Sequence, residues 1–181
     1  ILLVIVGTLP LFAVLPFKDR IEGLSGNLYV VAAALILTGF LLFFSDRVKK
    51  GRKKELSARM TDALIVGISQ AFATCPGLSR SGTTITTGCL VGFERKFAVR
   101  FSFILSIPAV LGANILSIKD ALDAGVNWGE LPVYLAGVLV AAVSGYACIR
   151  LLKMIANRGR FGWFAYYCWA VGLLTLILKF T

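Results

Sequence analysis

The sequence predicts an all-α integral membrane protein, a helical bundle with a re-entrant helix hairpin set into it. Three observations carry that expectation. Hydrophobic residues make up 58% of the 181 positions and the mean hydropathy is +0.85, well above the roughly half apolar content of a soluble domain. The apolar runs are continuous, whereas a membrane barrel would alternate apolar and polar residues with period two. The basic residues fall in short loops between those runs, so the formal charge of +10 reads as a topology signal and not as a nucleic-acid surface.

The whole of 1–181 reads as a single transmembrane domain. Residues 1–16 are apolar but shorter than the roughly 20 residues a spanning helix needs. They read as the end of a helix that begins upstream, kinked at Pro10, and the chain start at Ile1 reads as truncated. Lys18 to Asn27, with Gly23, Ser25 and Gly26, reads as a turn. Residues 28–44 are a second span. The loop Asp46 to Met60 then carries Arg47, Lys49, Lys50, Arg52, Lys53, Lys54 and Arg59 against Asp46 and Glu55, which places it on the cytoplasmic side.

Residues 62–93 are too long for one span and hold Pro76, Gly77 and Gly82 at their middle, where the helical ladder breaks. Two half-length helices fit better: Asp62 to Thr74 going in, a turn at Pro76 to Gly82, and Thr83 to Phe93 coming back. Residues 99–118 then span to a loop from Lys119 to Glu130 that holds Asp120 and Asp123. Residues 131–152 return to Arg150, Lys153, Arg158 and Arg160, and 161–178 leave again. With the hairpin, every basic loop lies on one side. With a single crossing, the loop after Phe44 and the segment Glu94-Arg95-Lys96 would face opposite sides although both are basic. The C-terminus is expected opposite the basic loops.

The chemistry concentrates at the hairpin tip. Cys75, Cys89, Cys148 and Cys168 form no Cys-x-x-Cys pair and read as small buried hydrophobes. There is no histidine, so no histidine base or metal ligand comes from these residues. In Pro76-Gly77-Leu78-Ser79-Arg80-Ser81-Gly82-Thr83-Thr84, by contrast, a permanent charge and four hydroxyls interrupt a greasy chain. An arginine at membrane depth costs at least about 2.5 kcal/mol and marks a substrate pathway by default. The helix beginning after Gly82 would aim unpaired N–H groups and the positive end of its dipole at the turn. With the planar Arg80 guanidinium and the hydroxyls of Ser79, Ser81, Thr83 and Thr84, this describes an anion site suited to phosphate. The plain alternative is that Arg80 caps the preceding half-helix while the hydroxyls pack helices. Thr86, Thr87 and Gly88 read as packing residues, and Gly77 and Gly82 as backbone requirements.

Gln70 followed by Pro76 to Thr84 closely resembles the second signature of the undecaprenyl pyrophosphate phosphatase family, the lipid-carrier recycling enzymes associated with bacitracin resistance. Gly7-Thr8-Leu9-Pro10, Phe101-Ser102-Phe103, Ile107-Pro108 and the terminal helix extend the resemblance along the chain, which would correspond to the C-terminal two-thirds of a member. The resemblance implies the second half of an inverted-repeat architecture in the bacterial cytoplasmic membrane, with a site opening to the periplasmic or extracellular side. It implies hydrolysis of undecaprenyl pyrophosphate to the monophosphate carrier of cell-wall synthesis. It assigns Arg80, Ser79 and Thr84 to catalysis, Arg80, Ser79, Ser81, Gly82 and Thr83 to the substrate phosphate, and lesser roles to Gln70 and Gly77.

The family's first signature, glutamate-rich and ending in Pro-x-Ser-Ser-x-Gly-His, is absent from residues 1–181. No cofactor is therefore expected on this chain, and a divalent cation, Mg2+ or Ca2+, only through acidic residues upstream. Asp62 and Glu94 border the hairpin on the cytoplasmic side, far from its tip. These residues are expected to hold phosphate but not to turn it over alone. The expected partners are the polyprenyl pyrophosphate lipid and the bilayer, without nucleic acid and with room for a homodimer. A lipid-phosphate flippase or anion transporter is the rival reading, since broken helices meeting at the midplane also grip anionic cargo.

Overall fold

The computed structural model describes residues 1–48, 51–125, 129, 131–157 and 162–180. Lys49, Lys50, Glu130, Arg158 and Arg160, counted above among the loop charges, lie outside the described residues. The elements are helices throughout: α1 (Leu2–Phe12), α2 (Lys18–Gly23), α3 (Leu28–Ser45), α4 (Met60–Phe72), α5 (Arg80–Leu90), α6 (Arg95–Ala124), α7 (Leu131–Asn157) and α8 (Gly162–Phe180), with 3-10 turns at Leu15–Phe17 and Leu24–Gly26. Among the described residues there is no strand, only an isolated bridge between Lys53 and Phe93. Among the described residues, five helical stretches are long and apolar enough to cross a membrane: Leu2–Gly26, Leu28–Ser45, Arg95–Asp123, Leu131–Ile155 and Gly162–Lys179. No residue in the apolar window of the fourth is buried within the protein. So much exposed aliphatic surface is what lipid, not water, accommodates. The chain is a multi-pass membrane protein.

Small residues set the helix pairings, as they do where no hydrophobic force separates helix from lipid. A Cβ on Gly67 of α4 would stand 2.2 Å from the Gly7 carbonyl oxygen of α1, so that crossing needs bare backbone. On the other side, Trp169 of α8 fills the space a Cβ on Gly39 of α3 would need and donates its indole N–H to the Ile36 carbonyl at 3.2 Å. Gly172 nests against Ile36 and Ala32 one turn further along. Because Asp46, just after α3, accepts from the Gly162 N–H at 2.7 Å, α8 runs antiparallel to α3.

The same end of the bundle gathers the basic residues. Arg95 pairs with Asp46 at 2.9 Å, Lys53 with Asp62 at 2.8 Å, Lys54 with Glu94 at 3.8 Å, and Arg100 approaches Glu55 at 4.0 Å. Lys153, near the end of α7, lines the same cleft as Lys54 and Arg100. At the far end, Lys18 reaches Asp120 at 3.0 Å.

Three of the departures from the expected helix ends have a clear local reason. Lys18–Gly23 is helical rather than a turn, and Asn27 caps α3 by accepting the Tyr29 N–H at 3.1 Å. The charged exit after Ile118 is absorbed into α6, because no Gly or Pro interrupts the chain until Gly125, whose φ of 85° ends the helix. The returning hairpin helix begins at Arg80, three residues before Thr83, because Ser79 caps it.

Candidate functional site

Helices α4 and α5 have 13 and 11 residues, about 20 and 17 Å at 1.5 Å per residue, too short to cross a hydrocarbon core of about 30 Å. Their feet meet at one residue. The Lys53 N–H donates to the Gly92 carbonyl at 2.9 Å, the Lys53 carbonyl accepts from the Glu94 N–H at 2.8 Å, and Lys53 Nζ donates to both Asp62 carboxylate oxygens at 2.8 and 2.9 Å. Asp62 also accepts the Arg59 N–H at 3.0 Å. Burial alone would raise the Asp62 pKa, but these bonds outweigh it and hold the carboxyl below its ordinary range.

The tip lies well inside the bundle. Gly77 adopts φ 92°, and a Cβ there would stand 2.7 Å from the Val31 carbonyl oxygen and 2.9 Å from Ala34 Cβ of α3. Thr38 of α3 donates its hydroxyl to the Gly77 carbonyl at 3.1 Å and accepts the Ser79 N–H at 3.1 Å. Measured back from Ser45 at the basic end, Thr38 and Val31 lie about 10 and 21 Å along a helix about 27 Å long.

Two faces of α5 are held by neighbours, one by α6 and one by α3. Thr84 is 1% exposed; its Oγ1 lies 2.5 Å from Ser102 Oγ of α6 and also donates to the Arg80 carbonyl at 2.9 Å. Thr86 donates to the Leu41 carbonyl of α3 at 3.3 Å, and Gly88 packs on Ala98 of α6 and on Phe93. Thr86 and Gly88 are therefore packing residues, as read from sequence. Thr84, expected at the reacting phosphate, has its hydroxyl turned to α6; position 84 falls on the face that Ser102 covers.

What remains at the tip is a set of unused donors. Ser79 Oγ accepts the Gly82 N–H at 3.2 Å, and the Ser79 carbonyl accepts the Thr83 N–H at 2.9 Å, which leaves the Ser79 hydroxyl proton to donate elsewhere. Among the described residues, no hydrogen bond uses the N–H groups of Arg80 and Ser81, and the half-buried Arg80 guanidinium and the Ser81 hydroxyl have no partner. An unpaired guanidinium on the first turn of a helix, beside two free N–H groups and the positive end of the dipole, is a set of donors chemically suited to an anion. Gln70 of α4 and Thr83 of α5 are both buried, and among the described residues neither the Gln70 amide atoms nor Thr83 Oγ1 have a partner. Each unpaired buried group costs about 1–3 kcal/mol, so the interior beside the tip is polar at a real energetic cost.

Among the described residues no acid is hydrogen-bonded or ion-paired with these donors. Asp62 and Glu94 sit at the hairpin feet, paired with Lys53 and Lys54. Among the described residues no three Cys, Asp or Glu side chains come together as metal ligands. Sequence reasoning missed Thr38 and Ser102. Thr38 is the only serine or threonine between Leu28 and Phe44, and Ser102 lies in a quoted motif without an assigned role.

Residues 1–174 match the family described as bacitracin resistance protein BacA. An undecaprenyl-diphosphatase of Methanothermobacter thermautotrophicus is 45% identical over 179 residues, covering 96% of this chain and 97% of that relative. One from Halothermothrix orenii is 39% identical over 98% of this chain and 69% of its own length. One from Syntrophotalea carbinolica is 43% identical over 94% of this chain and 64% of its own length. A match of this extent, carried by a chain whose hairpin tip presents an unpaired arginine, means that the protein belongs to the BacA bacitracin resistance family.

Proposed function

We propose that the protein is a membrane phosphatase that hydrolyses undecaprenyl pyrophosphate to undecaprenyl phosphate and phosphate, with the α4–α5 tip holding the pyrophosphate. The relatives are named for that reaction, and the observation that carries the assignment to the tip is the unpaired Arg80 guanidinium beside two free backbone N–H groups. In the bilayer, α4 and α5 form a re-entrant hairpin whose feet lie with the basic residues on the cytoplasmic side of the bacterial inner membrane. The tip then opens towards the opposite face. The prenyl chain lies along the lipid-exposed helices while its headgroup reaches the tip.

Hydrolysis breaks the bond between the terminal phosphorus and the bridging oxygen, and negative charge grows on that bridge and is spread over the terminal oxygens. Arg80 grips two of those oxygens with its planar fork. The Arg80 and Ser81 N–H groups and the Ser79 and Ser81 hydroxyls donate to the rest, and Thr84, locked to Ser102, keeps α5 in register. Donors fixed before the reaction stabilise the transition state without reorganising. The new bond to the terminal phosphorus is made by the oxygen of water, and residues 76–84 hold no carboxylate to take its proton.

Phosphate release from undecaprenyl pyrophosphate, followed with protein reconstituted in proteoliposomes, tests this reading. Arg80→Lys keeps the charge but loses the fork, and the expected result is loss of most of the activity. Near-normal release by Arg80→Lys would overturn the role given to the tip.

A further inference from the structure

We infer that Thr38, on α3 and outside the signature hairpin, is a positioning residue of the phosphate site, setting the direction in which Arg80 and the free N–H groups of α5 point. The inference rests on the phosphate-binding reading of the tip and extends it to a residue with no contact to the ligand. Four observations converge. Thr38 is 2% exposed, so water does not compete for its hydroxyl. Its one Oγ1 bonds the tip on both sides of Leu78, donating to the Gly77 carbonyl and accepting from the Ser79 N–H, each at 3.1 Å. Gly77 is the left-handed residue at which the chain turns, with φ 92°. Ser79 is the N-cap whose side chain and carbonyl order the next turn, by accepting from Gly82 and Thr83.

A helix N-cap sets where its first N–H vectors point, because its backbone is the last non-helical unit before them. Here the cap's own N–H is fixed to Thr38. Without those two bonds the turn would rest on α3 through the close approach of Gly77 to the Val31 backbone and to Ala34. The bond also takes the Ser79 N–H out of the donor set, so the donors left to the anion are those of Arg80 and Ser81. Thr38 itself does not drift, since the next residue, Gly39, is covered by the Trp169 ring of α8. The reference frame of the phosphate site is thus the α3–α8 pair.

Thr38→Val keeps the shape and removes both bonds; Thr38→Ser keeps the hydroxyl. In detergent-solubilised protein, titration with inorganic pyrophosphate is expected to show binding weakened about five- to tenfold in Thr38→Val, the scale of one or two hydrogen bonds, and restored to within about twofold in Thr38→Ser. Hydrogen–deuterium exchange at the Ser79 amide should accelerate in Thr38→Val and return to normal in Thr38→Ser. Arg80→Ala separates the two levels of the argument. If it abolishes pyrophosphate binding while Thr38→Val binds normally and exchanges normally at Ser79, Thr38 has no positioning role. If neither variant changes binding, the tip is not the phosphate site. A Thr38→Val protein that melts earlier yet binds with wild-type affinity when folded would make Thr38 structural only and overturn the inference.

Discussion

Replacing Gly77 by alanine tests the hairpin tip as a built turn. Two costs follow from the structure. A residue with a Cβ pays roughly 1–2 kcal/mol for a left-handed conformation, and Gly77 holds φ 92°. The new methyl would also stand 2.7 Å from the Val31 carbonyl oxygen and 2.9 Å from Ala34 Cβ. The first contact is backbone on a helix clamped by α8, so the tip must lift away, and overpacking of this kind costs about 1–3 kcal/mol. Together the loss is about 2–5 kcal/mol, or roughly 5–20 °C in Tm for a chain of this size. Thermal unfolding in detergent micelles, followed by tryptophan fluorescence, reads this out because Trp169 reports the α3–α8 contact. Gly23→Ala is the control: nothing lies within 4 Å of its Cβ and its φ is −59°. A Gly77→Ala protein melting within about 2 °C of that control, less than 1 kcal/mol on the same scale, would refute both the turn geometry and its contact with α3.

Further outcomes follow from other parts of the fold. Gly67→Ala places a methyl 2.2 Å from the Gly7 carbonyl oxygen and should lower Tm at least as much as Gly77→Ala; an unchanged Tm would contradict the α1–α4 crossing. Asp62→Asn should cost about 2 kcal/mol at pH 7, the scale of hydrogen bonds to a charged group. Because the Asp62 pKa is held below its unfolded value of about 3.9, that stabilisation is present above this value and is lost as pH falls through the lower folded one. The melting difference between wild type and Asp62→Asn should therefore shrink on acidification below about pH 4, and a gap that widened there would be contrary to it. Thr84→Val should lower Tm through loss of the Ser102 bond while leaving pyrophosphate affinity within about twofold. A large loss of affinity at unchanged Tm would return Thr84 to the ligand.

Much of this architecture was written in charge and punctuation. Lys53, Arg95 and Arg100 bracket the hairpin on one side because a short polar loop cannot be buried in lipid, and that is legible without coordinates. Pro76 and Gly77 announced the break for the same local reason. The start of α5 was legible in principle: Ser79 is a good N-cap, but Gly82 reads as a breaker when seen alone, and glycine in a first helical turn is tolerated. Lys18 to Glu22 looked like a turn for its polarity, although lysine, arginine and glutamate are good helix formers. Thr38 was beyond reach of sequence. A threonine in an apolar helix most often bonds its own preceding carbonyl, as Thr8 does to Val4 and Thr175 to Val171. Only the fold shows that Thr38 faces a foreign turn. The engagement of Thr84 with Ser102 is hidden for the same reason: helical spacing places both on faces without saying which faces meet.

The central claim is that the α4–α5 tip binds phosphate through Arg80. Its most direct measurement is inorganic pyrophosphate affinity, by calorimetry on the detergent-solubilised protein, for wild type, Arg80→Lys and Arg80→Ala. Two charge-assisted bonds at about 1.5–3 kcal/mol each predict at least a hundredfold weakening for Arg80→Ala, with Arg80→Lys between the two because a point charge replaces the fork. Equal affinities in all three proteins would contradict the account.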